Sequence, residues 1–306
     1  MISRELLDGF TQYTLRSSTL TLSVMTLGAT VTHLKRGDED LALCCPTPRE
    51  HAQNSSYANS IVGRYANRIR LGQVRIGGET VQRSCNEGRN QLHGGPNGFD
   101  KQLWTVEEAA EDRLTPSLCS PHGENGYPGE LRAAVSYTLR GDTLRIDFTA
   151  RCDRDTIFAP TTHLYFTLNG DCLQTKLRMN AGQYLPVDGE NLPLAPERAA
   201  GDFDFSALRP IGQDYDHCFI PEGEGRALLV GERTAIELRS DFPAMQLYTG
   251  LFLESPFHPH QGVALEPEWC PDSPNRAEFA SPLLRAGERF QRFVEYRIFD
   301  AGEVVQ

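Results

Sequence analysis

Apolar residues recur at every second position along this chain, and glycine, proline, asparagine and aspartate interrupt them at short intervals. That pattern leaves few ways to fold. Leu20, Leu22 and Val24 alternate with Thr21, Ser23 and Met25, which places one set of side chains on one face of an extended strand. Thr30 to Lys35 and Asp40 to Cys45 continue in the same manner. Val135-Ser136-Tyr137-Thr138-Leu139, a Gly141-Asp142 turn and Leu144-Arg145-Ile146-Asp147-Phe148 spell a β-hairpin. Gln73-Val74-Arg75-Ile76, Gly77-Gly78 and Thr80-Val81 spell another. Further strands are expected at Trp104 to Glu107, Thr161 to Leu168, Ala235 to Leu238, Met245 to Tyr248, Val263 to Glu266 and Phe290 to Phe299. Asp214 to Ile220 reads as loop running into strand. Only Pro46 to Ser56 has room for a short helix. Many short strands separated by turn residues predict an all-β, antiparallel sandwich or barrel.

Over 306 residues, 39% are hydrophobic and 23% charged, enough to bury a sizeable core. No internal repeat, linker or shift in composition divides the chain, so one domain over residues 1–306 is expected. The net charge of −11 argues against nucleic acid, whose phosphates need Lys and Arg, and against anionic membrane surfaces. None of the eight cysteines forms a Cys-x-x-Cys pair. The N-terminal residues lack the apolar core of a signal peptide, and no apolar run reaches the length of a membrane span. These features predict reduced thiols and a cytoplasmic protein. In that setting the sequon Asn54-Ser55-Ser56 carries no meaning.

Dinucleotide fingerprints, Walker loops, His-Glu-x-x-His and Gly-x-Ser-x-Gly are all missing, so nucleotide cofactors and nucleophile elbows lack support. His258-Pro259-His260 offers two imidazoles without a third ligand, and a surface loop is the simpler reading. Other residues carry more chemistry. Gly262-Val263-Ala264-Leu265 reads as the end of a strand that delivers Glu266 where Pro and Asp open a loop. His163 sits among Thr162, Tyr165 and Phe166 on another strand. His93 precedes Gly94-Gly95, glycines that would let a ligand approach the backbone. Asp216 lies beside His217. Each has an ordinary alternative: a core or turn histidine, a sheet-edge carboxylate, a local hydrogen-bonded pair.

Taken together, these residues resemble the aldose 1-epimerase (galactose mutarotase) family. The resemblance runs in order through Gly63-Arg64-Tyr65-Ala66-Asn67-Arg68-Ile69, Leu92-His93-Gly94-Gly95, Gly98-Phe99-Asp100-Lys101 and Trp104. It continues through His163-Leu164-Tyr165-Phe166, Pro186-Val187-Asp188, Tyr215-Asp216-His217, Gln246-Leu247-Tyr248-Thr249-Gly250, Leu265-Glu266, Pro271-Asp272 and Asn275. It implies an antiparallel β-supersandwich of the galactose mutarotase type, a monosaccharide substrate, no cofactor and no metal. It implies Glu266 as general base and His163 as general acid, with His93 near the ring oxygen. Arg68, Asp216 and Gln246 would hold hydroxyls or the reacting centre, and Tyr165, Phe166, Tyr248 or Trp269 would offer a face to the sugar, although Phe166 suits the core better. A monomer or homodimer is expected. Departures from the family pattern occur at Thr162, Thr167, Leu251 and Pro267-Glu268, beside the residues that would shape the pocket.

The expected reaction interconverts the α and β anomers of a free hexose such as galactose or glucose through the open-chain aldehyde. It needs one proton taken from the C1 hydroxyl and one given to the ring oxygen. An unperturbed Glu is ionised at neutral pH and an unperturbed His is mostly neutral. A nearby carboxylate, Glu266 or Asp216, is expected to raise the protonated fraction of His163. Three alternatives stand beside this reading. A phosphorylated or otherwise anionic hexose would call on Arg64, Arg68 and Arg70. A silent sugar-binding domain would need neither acid nor base. A glycoside hydrolase would need a second carboxylate facing Glu266.

Overall fold

A computed structural model describes residues 2–53 and 56–304; Asn54 and Ser55 of the sequon lie outside them. Three antiparallel sheets dominate. The largest has nine strands in the order Thr105–Ala109, Arg113–Ser120, Leu131–Arg140, Thr143–Cys152, Phe290–Asp300, Thr234–Ser240, Gly225–Val230, Lys176–Met179 and Arg209–Pro210. A six-stranded sheet runs Tyr165–Phe166, Val263–Glu268, Ala244–Tyr248, Asp216–Pro221, Ala181–Leu185 and Glu197–Arg198. The first five strands, from Ser3–Leu7 to Glu39–Asp40, form a third sheet in sequence order. Among the described residues the one α-helix is Pro48–Gln53, inside the segment expected to hold it. The all-β expectation therefore holds.

Alternation explains how the sheets meet. Val135, Ile146, Phe148, Leu238 and Tyr296 of the nine-stranded sheet share one buried apolar cluster with Phe219, Leu247, Val263 and Leu265 of the six-stranded sheet. Side chains at every second position pack inward, and burying them is the main source of stability. The hairpins at Gln73–Ile76 with Glu79–Gln82, and at Leu131–Arg140 with Thr143–Cys152, appear where the turn residues place them.

Three strand expectations need correction. Asp40 to Cys45 is not a continuous strand; pairing stops at Asp40, and a single bridge joins Ala42 to Phe166. Thr161 to Leu168 breaks into Thr161–Thr162, paired with Ile61–Val62, and Tyr165–Phe166, paired with Val263–Ala264. His163 falls in the break. The β-branched and aromatic residues favour extended backbone throughout, but they cannot signal that the chain changes partners midway. Val263–Glu268 continues through Pro267 rather than ending at Glu266. It does so because Pro267 has a ladder partner, Met245, on one side only.

Candidate active site

The polar residues of the six-stranded sheet gather through strand register. Gln246 pairs with Glu266, Cys218 with Gln246, and Asp216 with Tyr248. Ala244, Gln246 and Tyr248 share one face with Ala264, Glu266 and Glu268, whereas Leu247 and Leu265 point into the core on the other. One face of the sheet is thus apolar and sealed, and the other carries the chemistry. It opens on a cavity of about 200 Å³ lined by Arg68, His93, His163, Asp216, Gln246, Tyr248 and Glu266, together with Tyr57, Asn67, Glu87, Tyr165 and Leu253. All seven candidate site residues therefore meet in one cavity. A larger one, about 740 Å³ between Arg178, Arg226, Glu237 and Arg297, holds none of them.

Glu266 and His163 face each other, with Glu266 Oε2 3.6 Å from His163 Nε2. Both are buried, at 2% and 4% exposure. Glu266 Oε2 and His163 Nδ1 have no hydrogen-bond partner within the protein. Burial decides their charges. Desolvation, reinforced by Asp216 and partly offset by Arg68, holds Glu266 well above the usual carboxylate range. Desolvation also pulls His163 down to about 4, against a smaller opposing contribution from a backbone hydrogen bond. This reverses the expectation that a neighbouring carboxylate would raise the protonated fraction of His163. Burial makes charging the ring costly, and that cost sets the direction of the shift. Both shifts disfavour the charged forms, Glu266 as carboxylate and His163 as imidazolium.

That depression has a stability consequence. An unfolded imidazole takes up its proton near pH ~6.5, but the folded His163 does so only near about 4. The unfolded state therefore gains protons first as pH falls between these values, and stability drops through that window. His163→Asn should remove the effect. Chemical denaturation at pH 7 and at pH ~4.5 should show the wild type losing about 2–3 kcal/mol more than the variant. Equal losses would mean the ring is freely protonated in the fold.

His93 adopts a left-handed backbone, with φ 50°. Its Nδ1 accepts a hydrogen bond from the Asn67 backbone N–H at 3.1 Å, and its own N–H returns to the Asn67 carbonyl at 3.1 Å. Because Nδ1 accepts, the neutral ring carries its proton on Nε2. The following glycine serves the chain itself rather than a ligand. A Cβ on Gly94, at φ 89°, would lie 1.8 Å from the Gly63 carbonyl oxygen.

Arg68 is clamped bidentately by Glu87, with both hydrogen bonds at 2.8 Å, and its third nitrogen lies 3.6 Å from Asp216 Oδ2. The Gln246 amide donates to Asp216 Oδ1 at 2.6 Å. Asp272 holds the Arg68 strand in place from behind, because its N–H donates to the Arg68 carbonyl and its carboxylate accepts from Arg70 N–H. Pro271-Asp272 and Asn275 therefore brace the site from outside the cavity. Tyr165 and Tyr248 line the cavity, but Trp269 packs in the core against Phe242 and Phe290. Arg64 is buried against Ser120 and the carbonyls of Pro121, Pro128 and Gly129, and Arg70 pairs with Asp188. Neither lines the cavity.

Sequence reasoning passed over Tyr57, Glu87 and Glu268. Tyr57 lies against both imidazoles, tilted 4.6 Å from the His93 ring and roughly parallel to that of His163 at 6.2 Å. Glu87 gave no signal because it meets Arg68 only through tertiary folding. Glu268 is fully buried and accepts a hydrogen bond from Asn67 Nδ2 at 3.0 Å, which orients the residue that fixes His93. Its place two residues after Glu266 was the available clue. Glu268→Leu should cost about 1–3 kcal/mol by orphaning that amide, whereas Glu268→Gln keeps an acceptor and should cost less. Thermal melts of the two variants decide the order.

His93, His163 and Glu266 hold donor atoms within 4.8 Å of one another, a spacing a cation could use. The Asn67 N–H argues against it. A histidine ligates through one nitrogen and normally donates from the other, whereas here the nitrogen facing Asn67 must accept.

The sequence model described as aldose 1-epimerase matches residues 11–297. An aldose 1-epimerase of Haemophilus influenzae is 36% identical over 277 residues, spanning 80% of this chain and 81% of its own. A mouse galactose mutarotase is 34% identical over 91% of each chain. The crystal structure of a galactose 1-epimerase from Lactobacillus acidophilus superposes with a TM-score of 0.89 at 28% identity, covering 98% of both chains.

Proposed function

The chain belongs to the aldose 1-epimerase family, isomerases that act on carbohydrates, and we propose that it interconverts the anomers of a neutral free hexose such as galactose or glucose. The observation that carries the reading is the buried Glu266–His163 pair, 3.6 Å apart in a cavity that also holds the hydroxyl-binding groups of Arg68, His93, Asp216 and Gln246. The whole chain would act as one catalytic unit.

Glu266 is the base and His163 the acid. Burial favours the neutral carboxyl and the neutral imidazole, and moving the carboxyl proton to the imidazole creates both partners without changing the net charge of the pair. Glu266 then takes the C1 hydroxyl proton while His163 protonates the ring oxygen and the C1–O bond to the ring breaks. After rotation about C1–C2 the steps reverse on the other face, and the pair ends as it began. The Nε2–H of His93 is a donor toward the ring oxygen. Asp216, Gln246 and Arg68 bond hydroxyls, and Tyr165 and Tyr248 offer apolar faces to the ring.

Charge favours a neutral sugar over an anionic one. Arg68 is the one arginine among the described residues that line the cavity, and Glu87 and Asp216 already neutralise it. Polarimetry on freshly dissolved α-galactose and α-glucose, with α-glucose 6-phosphate as a third arm, tests this. Faster approach to equilibrium with a free sugar than with the phosphate is expected. Acceleration of the phosphate alone would overturn the substrate class, and no acceleration of any sugar by folded protein would overturn the reaction. Activity should also survive dialysis against EDTA; loss restored by a divalent metal would contradict the metal-free acid–base step.

A further inference from the structure

Away from the cavity, a β-bulge interrupts the pairing of Leu20–Met25 with Thr30–Arg36. Ser23 faces His33 and Val24 faces Val31, which leaves Thr32 as the extra residue. Bulges re-aim the side chains beside them. Here His33 is turned toward Asp40, with Nδ1 2.5 Å from Asp40 Oδ2. The Thr32 carbonyl is turned toward the Cys44 thiol, which donates to it.

The Asp40 carboxylate is divided in its duties. Oδ1 accepts the backbone N–H groups of Leu34 and Ala42, at 3.2 and 3.5 Å. Oδ2 points at His33 and stands 3.9 Å from Cys44 Sγ. The imidazole, carboxylate and thiol thus place one nitrogen, one oxygen and one sulfur within 4.8 Å of one another, all half-buried. A second imidazole is close. His51, on the Pro48–Gln53 helix, is 9% exposed, its Nε2 has no hydrogen-bond partner, and it lies near enough to His33 to feel its charge.

We propose that His33, Asp40 and Cys44 form a second, non-catalytic site for a divalent transition-metal cation, with zinc the best match and His51 or water completing the shell. Zinc accepts this mixed nitrogen, oxygen and sulfur set in tetrahedral geometry, whereas calcium and magnesium select oxygen alone. Binding displaces the thiol proton of Cys44, leaving a thiolate on the metal. It also displaces Lys35 Nζ, which stands 3.9 Å from Asp40 Oδ2 on an exposed, flexible side chain.

The site would tie the bulged strand to the segment that follows Asp40. That segment backs the cavity wall. Leu43 N–H donates to the Tyr165 carbonyl at 3.1 Å, the Leu43 carbonyl accepts from Asn59 Nδ2 at 2.7 Å, and Leu43 and Cys45 pack with Tyr165 and Leu253.

The test uses the full chain, freed of metal by chelation, kept reduced with a phosphine and titrated with Co2+. A near-ultraviolet thiolate-to-cobalt charge-transfer band saturating at one equivalent, and bleached by Zn2+, is expected. Cys44→Ser should abolish the band, and His33→Gln should weaken cobalt binding at least tenfold. Cys85→Ser and Cys119→Ser, which remove the two exposed thiols, should leave it intact. Zn2+ should raise the melting temperature of the wild type and not of Cys44→Ser. Absence of the band, or its persistence in Cys44→Ser, would reduce the cluster to a hydrogen-bonded His33–Asp40 pair with a thiol beside it.

Discussion

Glu266→Gln should abolish the acceleration of mutarotation while leaving the fold intact. The substitution is close to isosteric, and Glu266 Oε2 makes no hydrogen bond within the protein, so nothing in the packing depends on its charge. What disappears is the group proposed to take the C1 hydroxyl proton. A positioned proton transfer typically contributes ~10²–10⁴-fold, so kcat should fall by at least about 10² with little change in KM. Polarimetry or NMR saturation exchange gives the rate, and a thermal melt verifies the fold. A variant within threefold of wild type would remove Glu266 from the reaction. Because the substitution replaces one buried polar group with another of nearly the same size, the variant is expected to melt close to the wild type.

His163→Asn should produce a comparable loss through the other half of the reaction, and the pH profile should identify its cause. In the proposed cycle the wild-type pair holds one proton. Adding a second requires protonating the imidazole beside an already neutral carboxyl, which burial postpones to about 4. The rate should therefore hold across neutral pH and fall only near that value, rather than near the ~6.5 of a solvated histidine. The limb belongs to the pair, so it cannot be assigned to one residue without the variants. In His163→Asn the residual rate should lack this limb. A wild-type limb near 6.5 would mean the cavity is wet enough to leave the imidazole unperturbed.

The sequence and the tertiary structure contributed differently, for physical reasons visible in particular residues. Alternation and turn chemistry are local, so the sequence by itself determined the all-β class and the hairpins around Gly77-Gly78 and Gly141-Asp142. The ordered motifs from Arg68 to Glu266 were also legible, and their resemblance to one family named seven residues that the fold brings to one cavity. Non-local facts escaped. Nothing in Thr161 to Leu168 says that the strand changes partners and leaves His163 in the gap. Nothing near Glu87 announces a guanidinium, because Arg68 arrives from another part of the chain. Trp269 reads as a sugar platform until Phe242 and Phe290 close over it. Above all, charge was undecidable from composition. A glutamate beside a histidine suggests an ion pair, and only the depth at which the fold buries the two shows that desolvation pushes each toward its uncharged form.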